Sequence, residues 1–227
     1  MKRRLKINGV IVFCAILLLV FFPAIFFRYE KMNFLDEIAE ICGIVFILLG
    51  QILRVSARGH KSEHSSSGNA LIQEGPYSLV RNPMYLGILL IGIGVVLMLF
   101  YWWVTFIFLL VFVSRYILLI FKEEKELAKN FPKDYSDYQR RVPRILPSMG
   151  LLLEKDISDY LPLKLSWLKK EMGSILTVLF ITLLLESWED IRDGGIRTYF
   201  REAAGLAVII LLFMLLVAYL SRRRDNP

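Results

Sequence analysis

The stretch GPYSLVRNPMYLG, residues 75–87, lies where a polar segment passes into a long apolar one. Pro83 suits the first turn of a helix, because a proline there removes no hydrogen bond that the helix needs. Arg81 and Asn82 come directly before it, so a charge and an amide stand at the start of an apolar run. We therefore predict that a membrane-spanning helix begins at Pro83 and runs to residue 100.

The composition of the whole chain is that of a membrane protein. Of its 227 residues, 56% are hydrophobic, whereas ordinary soluble domains contain about 45–50% apolar residues. Segments of roughly 17–25 apolar residues cross a bilayer. The candidate spans are residues 10–27, 38–55, 83–100, 104–121, 171–187 and 203–220. The sequence thus predicts an all-α integral membrane protein with about six transmembrane helices.

The order of charges gives these spans a direction. YWW at 101–103 leaves room for only a tight turn at the interface, so the third and fourth spans form a hairpin. The segment 122–147 is charged and largely helical in pattern, which predicts a cytoplasmic helical cap after the fourth span. The net charge of +7 reflects Lys and Arg in cytoplasmic segments rather than nucleic-acid binding. Both termini and the candidate site are predicted to be cytoplasmic.

Three regions follow from this layout. Residues 1–37 hold the N-terminal transmembrane helix, and residues 38–149 form a membrane core with the cytoplasmic cap. Residues 150–227 form a C-terminal extension with two further spans.

Polar groups at membrane depth suggest function, and here they gather at two places. Glu123 and Glu124 directly follow the fourth span, and the hairpin brings them beside Arg81 and Asn82. Adjacent helical residues point about 100° apart, so one carboxylate can face a pocket while the other meets an arginine. The alternatives are a charged helix end and an interfacial arginine. In the functional interpretation a carboxylate binds a cation, an amine or a ribose diol, and the Arg81 guanidinium binds a carboxylate.

Taken together, these elements resemble the isoprenylcysteine carboxyl methyltransferase family and the related phospholipid methyltransferases. The family pattern is Gly-x-Tyr, then Arg-His-Pro-x-Tyr-x-Gly, then Glu-Glu-x-x-Leu followed by Tyr-x-x-Tyr and Val-Pro. In this chain the matching residues are Gly75, Tyr77, 81–87, Glu123, Glu124, Leu127, Tyr135, Tyr138, Val142 and Pro143. The resemblance covers residues 40–147. The family histidine is replaced by Asn82, which keeps hydrogen bonding but has no acid–base role.

The resemblance implies an integral membrane methyltransferase that uses S-adenosyl-L-methionine and receives a lipophilic substrate from the bilayer. Arg81 and Glu123 are the catalytic candidates. The residues expected to bind the cofactor are Tyr77, Asn82, Pro83, Tyr85, Leu86, Glu123 and Glu124. The acceptor is left open between an isoprenylcysteine-type carboxylate, a lipid amine and a thiol.

No metal site is expected. We interpret His60 and His64 as solvated residues of a Ser-rich loop rather than as metal ligands.

Two other functions fit parts of the pattern. A sterol-type membrane reductase that binds NADPH shares an Arg-x-Pro-x-Tyr element, but Glu123 and Glu124 would repel a phosphate-rich cofactor. A non-catalytic membrane scaffold with the same fold is suggested by Asn82 and by the extension at residues 150–227.

Overall fold

The computed structural model of the chain describes residues 17–18, 21–28, 34–65, 70–148, 150, 156–173, 175–177, 208, 211–215 and 217. Within these residues the regular structure is helical, and one isolated bridge joins Phe27 and Phe100. The helices are α1 (Pro23–Phe26), α2 (Phe34–His64), α3 (Pro76–Leu79), α4 (Pro83–Leu99), α5 (Trp102–Asn130), α6 (Pro132–Arg141) and α7 (Ile157–Tyr160). Residues 165–173 are also helical. The predicted all-α class is confirmed.

Helices α2 and α4 pack closely and antiparallel through small residues. A Cβ atom added to Gly50 would lie 2.7 Å from the Gly87 carbonyl oxygen, and one added to Gly43 would lie 2.7 Å from that of Gly94. Backbones of membrane helices come this close only where side chains are minimal. The part of α2 that follows Gly50 therefore lies beside the beginning of α4, and α2 continues beyond it to His64.

The hairpin of α4 and α5 forms as the sequence predicts. Helix α4 begins at Pro83, and the turn consists of residues 100 and 101 before α5 starts at Trp102. The Tyr101 N–H donates to the Phe26 carbonyl at 3.1 Å, which fixes this turn against the preceding segment. Helix α5 continues past the predicted span into the charged segment, so Glu123 and Glu124 lie on its last turns.

The apolar surfaces agree with a membrane setting. Within the described residues, α2 and α5 are each long and apolar enough to cross a bilayer, and α4 is a shorter apolar helix. Large apolar side chains of α5, among them Phe106, Leu110 and Leu118, are exposed on the chain. Such a surface is stable against lipid and unfavourable in water. The expected first, fifth and sixth spans lie largely outside the described residues, so the number of six spans stays a prediction.

The end of α2 differs from the sequence-based expectation. Residues 56–64 continue the helix instead of forming a loop, because this part packs on the chain after α7. Ile52 and Val55 cluster with Leu163 and Trp167. A helical segment that is buried at residues 56, 57, 59 and 60 and exposed at residues 61–64 thus replaces the expected polar loop.

The interpretation of His60 and His64 as part of a loop is therefore wrong, and the expectation that His60 is solvated is also wrong. Both belong to α2, and only 3% of the His60 surface is exposed. The two imidazole rings stack with their centroids 4.1 Å apart. His64 itself is exposed.

Candidate functional site

Glu124 is the centre of a buried polar cluster at the open end of the α4–α5 hairpin, opposite the turn at residues 100 and 101. We call this end the mouth of the hairpin. The Glu124 carboxylate accepts a hydrogen bond from Asn82 Nδ2 at 3.2 Å and lies 3.6 Å from Arg81 Nη2. Arg144 Nε and Nη2 approach Glu124 Oε2 at 3.1 and 3.0 Å. Only 5% of Glu124 is exposed, so the charge is compensated by its partners rather than by water. The prediction that the two polar clusters lie together is confirmed.

Glu123 occupies a different position. It is half-buried, and its Oε1 accepts a hydrogen bond from the Tyr85 hydroxyl at 2.9 Å. The Tyr85 ring lies 5.4 Å from that of Tyr116 on α5. The two adjacent carboxylates therefore have separate partners, as the 100° spacing of helical neighbours requires. Glu124 contacts the other polar residues of the buried cluster, whereas Glu123 lies on the more exposed side of this cluster.

Arg144 belongs to this cluster although the sequence analysis did not single it out. The Arg81 N–H donates to the Pro143 carbonyl at 2.8 Å, and the Asn82 N–H donates to the Arg144 carbonyl at 3.2 Å. These bonds bring the segment after α6 against the start of α4. The Arg144 guanidinium stacks 4.5 Å from the Phe121 ring centroid. An arginine directly after the Val-Pro element was the only signal in the sequence.

Two side chains in the cluster carry donors that are not satisfied. Arg81 Nε and Nη1 and the Tyr135 hydroxyl are buried and make no hydrogen bond of regular geometry with the described residues, although Arg81 and Gln139 lie close enough to the Tyr135 hydroxyl to lower its pKa. The side chain of Arg81 is 10% exposed and that of Tyr135 lies almost wholly inside. An unsatisfied buried donor costs roughly 1–3 kcal/mol. These three donors are therefore candidates to bind an acceptor from outside the chain, a ligand or water.

The tyrosines around Arg81 remain neutral at physiological pH. Burial raises the pKa of Tyr135, and nearby Glu124 raises it further while Arg81 lowers it. Burial also raises the pKa of Tyr138, with Tyr77 and Tyr135 contributing. For Tyr77 burial raises the pKa and Glu123 adds to it. All three hydroxyls can therefore act as hydrogen-bond donors but not as bases near neutrality.

The remaining predicted residues frame the cluster. Pro83 is buried in the first turn of α4, and the Tyr77 carbonyl accepts a 2.6 Å hydrogen bond from Tyr138. Leu86 instead packs in a core cluster that includes Leu79. The cofactor roles assigned to these residues stay predictions.

A cleft of about 810 Å³ lies beside this cluster, between the end of α2, the 70–74 loop and α6. Its walls include His60, Tyr138, Arg141 and Tyr160. The volume lies in the range of roughly 300–1,000 Å³ that is usual for ligand sites. The residues predicted to bind the cofactor do not line this cleft, which borders their cluster through Tyr138.

The fold and the site together describe a helical membrane protein with a polar cluster at the open end of a helical hairpin. Comparisons with known proteins identify the family to which it belongs. Residues 12–134 match the phospholipid methyltransferase family. Since this is more than half of the 227 residues, the chain belongs to the phospholipid methyltransferase family.

Several curated proteins are similar to part of this chain, and two of those described below are named methyltransferases. The protein-S-isoprenylcysteine O-methyltransferase of Schizosaccharomyces pombe is 29% identical over 51% of this chain and 52% of its own length. The corresponding protein B of Arabidopsis thaliana is 30% identical over 57% of this chain and 66% of its length. The cobalt-zinc-cadmium resistance protein CzcN of Cupriavidus metallidurans is 29% identical over 56% and 57%.

The chain thus spans about half to two thirds of the length of these relatives. No solved structure matches the chain.

Proposed function

We propose that the chain is an integral membrane methyltransferase that uses S-adenosyl-L-methionine and methylates a lipophilic or small acceptor at the mouth of the α4–α5 hairpin. The observation that carries this proposal is the cluster of Arg81, Asn82, Glu123 and Glu124, with unsatisfied donors at its centre. Membership in a methyltransferase family supports the same reaction.

The donor set fits the proposed cofactor. S-adenosyl-L-methionine carries a carboxylate, an ammonium group and a ribose diol, and it supplies a methyl group on a positively charged sulfur. Arg81 Nε and Nη1 and the Tyr135 hydroxyl offer unsatisfied donors suited to a carboxylate. Glu123 offers acceptor oxygens for an amine or a diol. Tyr77, Asn82, Pro83, Tyr85, Leu86 and Glu124 complete the set that we propose to surround it.

Within this set Glu124 is a positioning residue rather than a direct ligand. Its oxygens are already engaged by Asn82 and Arg144, and it fixes the direction of Arg81. Buried Tyr135 and Tyr138 exclude water from the same place. Methyl transfer is a displacement that depends mainly on alignment and a dry site, and these residues supply both.

The chemistry of the acceptor decides whether a base is needed. A carboxylate or thiolate acceptor reacts as it stands, whereas an amine must lose a proton. Asn82 cannot accept that proton. Half-buried Glu123 is the carboxylate that we propose to accept it. We infer that the acceptor enters from the bilayer, because the α5 surface beside the site is apolar and exposed.

The other functions considered receive less support. The pair of carboxylates at the hairpin mouth disfavours a phosphate-rich cofactor such as NADPH. A scaffold that has lost its chemistry gains nothing from buried donors that are left unsatisfied at a cost in stability.

The test is transfer of labelled methyl groups from S-adenosyl-L-methionine in membranes of cells that express the chain. We expect a labelled lipid-soluble product that is absent from non-expressing cells, and its identification defines the acceptor.

A matched pair of variants controls this experiment. Glu123→Gln removes the half-buried carboxylate, and Glu126→Gln removes an exposed one on the same helix. We expect transfer to fall at least tenfold in the first variant, since hydrogen bonds to charged groups contribute roughly 1.5–3 kcal/mol, and to be unchanged in the second. Equal activity of both variants, or no labelled product in the wild type, would contradict the proposal.

A further inference from the structure

Three aromatic side chains follow one another along α5 and pack against α4. Phe108, Phe112 and Tyr116 recur at intervals of four residues, and residues at this interval are neighbours on one face of a helix. The ring centroids of Phe108 and Phe112 lie 5.9 Å apart, and those of Phe112 and Tyr116 lie 4.4 Å apart in a stacked arrangement. A Cβ atom added to Gly92 would overlap the Phe108 ring. We call these three side chains the aromatic column.

The aromatic column holds the Tyr116 ring in a defined orientation. Phe112 is buried and Tyr116 is half-buried, whereas Phe106 and Leu110 of the same helix are exposed. Aromatic pairs prefer particular separations and tilts of their rings. The stack on buried Phe112 therefore fixes the plane of the Tyr116 ring.

Tyr85 of α4 connects the column to Glu123. The Tyr85 ring centroid lies 5.4 Å from that of Tyr116, and the Tyr85 hydroxyl donates to Glu123 Oε1 at 2.9 Å. Glu123 follows Tyr116 by seven residues, which is close to two helical turns, so the two side chains lie on the same side of α5 about 10 Å apart along the axis. Tyr85 bridges this distance, with its ring against Tyr116 and its hydroxyl on the carboxylate.

The direction of the Glu123 carboxylate matters for the site. Glu123 is half-buried, and a glutamate side chain in such a place has several staggered rotamers. A group that meets a ligand or a reacting atom has to keep its geometry within about 0.5 Å. The hydrogen bond from Tyr85 favours one direction of the carboxylate, and this bond depends on the position of the Tyr85 ring.

We propose that Tyr116 is a positioning residue for Glu123 and acts through Tyr85. The Tyr116 ring orients the Tyr85 ring, and the Tyr85 hydroxyl then holds the carboxylate in place. The ring of Tyr116 carries this role, and its hydroxyl is not required. The inference rests on the proposed function for the reaction that Glu123 serves, whereas the contacts between the three side chains do not depend on that reaction.

The test separates the ring of Tyr116 from its hydroxyl. Tyr116→Leu removes the ring and Tyr116→Phe keeps it, while Tyr85→Phe removes the hydroxyl that binds Glu123. Phe106→Leu is the matched control, because Phe106 is an aromatic residue of the same helix that is 65% exposed. The first measurement is the maximal rate of methyl transfer from labelled S-adenosyl-L-methionine in membranes, normalised to the amount of the chain.

We expect Tyr116→Leu and Tyr85→Phe each to lower this rate about 3- to 10-fold, since a hydrogen bond to a charged group is weakened or lost. Tyr116→Phe should keep at least about half of the rate, and Phe106→Leu should leave the rate unchanged. In the Tyr85→Phe background, Tyr116→Leu should lower the rate by less than about twofold, because the hydroxyl through which it acts is already absent. A purely structural role would lower the rate by the same factor in both backgrounds.

The second measurement, thermal unfolding of the full chain in detergent, does not depend on catalysis. The decrease of the unfolding temperature caused by Tyr116→Leu should be about 1–6 °C smaller in a Tyr85→Leu background, because the contact between the two rings is already lost. If Tyr116→Leu does not fold, Tyr116→Met, whose flexible side chain fills more of the space, replaces it in every comparison.

Equal rates of Tyr116→Phe and Tyr116→Leu, or the full effect of Tyr116→Leu in the Tyr85→Phe background, would overturn the inference. Equal decreases of the unfolding temperature in both backgrounds would overturn it as well. A smaller decrease in the Tyr85→Leu background without any labelled product from the wild type would reject the proposed function alone.

Discussion

Neutralising Glu124 should destabilise the hairpin mouth more than any other change of a single charge on α5. Glu124→Gln removes the negative charge that faces Arg81 Nη2 at 3.6 Å and Arg144 Nη2 at 3.0 Å. Arg81 is 10% exposed on its side chain and cannot turn to water, whereas the Arg144 side chain is 35% exposed and can. The loss of stability therefore arises mainly because Arg81 stays buried without its counter-charge.

The size of the effect follows from this burial. Breaking a buried ion pair by removing one partner costs roughly 3–5 kcal/mol, and glutamine keeps one acceptor oxygen. We expect a loss of about 3 kcal/mol in the free energy of unfolding, at the lower end of that range. For a chain of this size, 1 kcal/mol shifts the unfolding temperature by roughly 2–4 °C, which gives a decrease of about 6–12 °C.

The assay is thermal unfolding of the purified protein in one detergent, followed by loss of helical circular dichroism. Glu126→Gln is the control, because Glu126 is exposed on the same helix and should shift the free energy of unfolding by less than about 0.5 kcal/mol. A double-mutant cycle that combines Glu124→Gln with Arg144→Gln isolates the interaction free energy between these two side chains. A Glu124→Gln variant as stable as the Glu126→Gln control would refute the role of Glu124 as the centre of the cluster.

Three further predictions concern neighbouring parts of the structure. Asn82→Ala should cost about 1–3 kcal/mol because it removes two side-chain hydrogen bonds, one to Glu124 and one to the Arg144 carbonyl, each contributing about 0.5–1.5 kcal/mol. Asn82→His, with one N–H in reach, should lose about half as much; equal unfolding temperatures of the two variants would contradict this. Gly50→Ala should lower stability by about 1–3 kcal/mol because its Cβ would meet backbone of α4, while Gly173→Ala, which meets nothing within 4 Å, serves as the neutral control in the same melt. The raised pKa of Tyr138 stabilises the fold fully below its unfolded pKa of about 10 and decreasingly as pH rises above it. Tyr138→Phe, which also loses the bond to Tyr77 at about 1 kcal/mol, should show a smaller decrease of the unfolding temperature between pH 9 and 11 than the wild type; identical pH profiles would contradict the assignment.

The sequence predicted those features that depend on local physics. Pro83 begins α4 because proline is tolerated only in the first turn. The aromatic residues 101–103 predicted a turn because such residues favour the interface, and the structure has this turn at residues 100 and 101. Once the hairpin is fixed, its geometry alone brings Asn82 and Glu124 together across forty-two residues. The division into N-terminal helix, core and extension stays a prediction.

The features that the sequence did not predict depend on tertiary contacts. His60 lies inside α2 because residues 157–168 pack against this part of the helix. A search of the sequence for apolar segments does not find a polar stretch of helix that another part of the chain buries. Arg144 reaches Glu124 only because Pro143 and Arg144 pair with the backbone before α4.

Calorimetric titration of the purified chain with S-adenosylhomocysteine, and in parallel with NADPH, tests the central claim most directly. The cluster of Arg81, Asn82, Glu123 and Glu124 predicts saturable binding of S-adenosylhomocysteine and no binding of NADPH. Replacing Glu123 and Glu124 together by glutamine should weaken that binding. Binding of NADPH without binding of S-adenosylhomocysteine would contradict the account. Unchanged affinity of the double variant for S-adenosylhomocysteine would show that the two carboxylates are only a charged helix end.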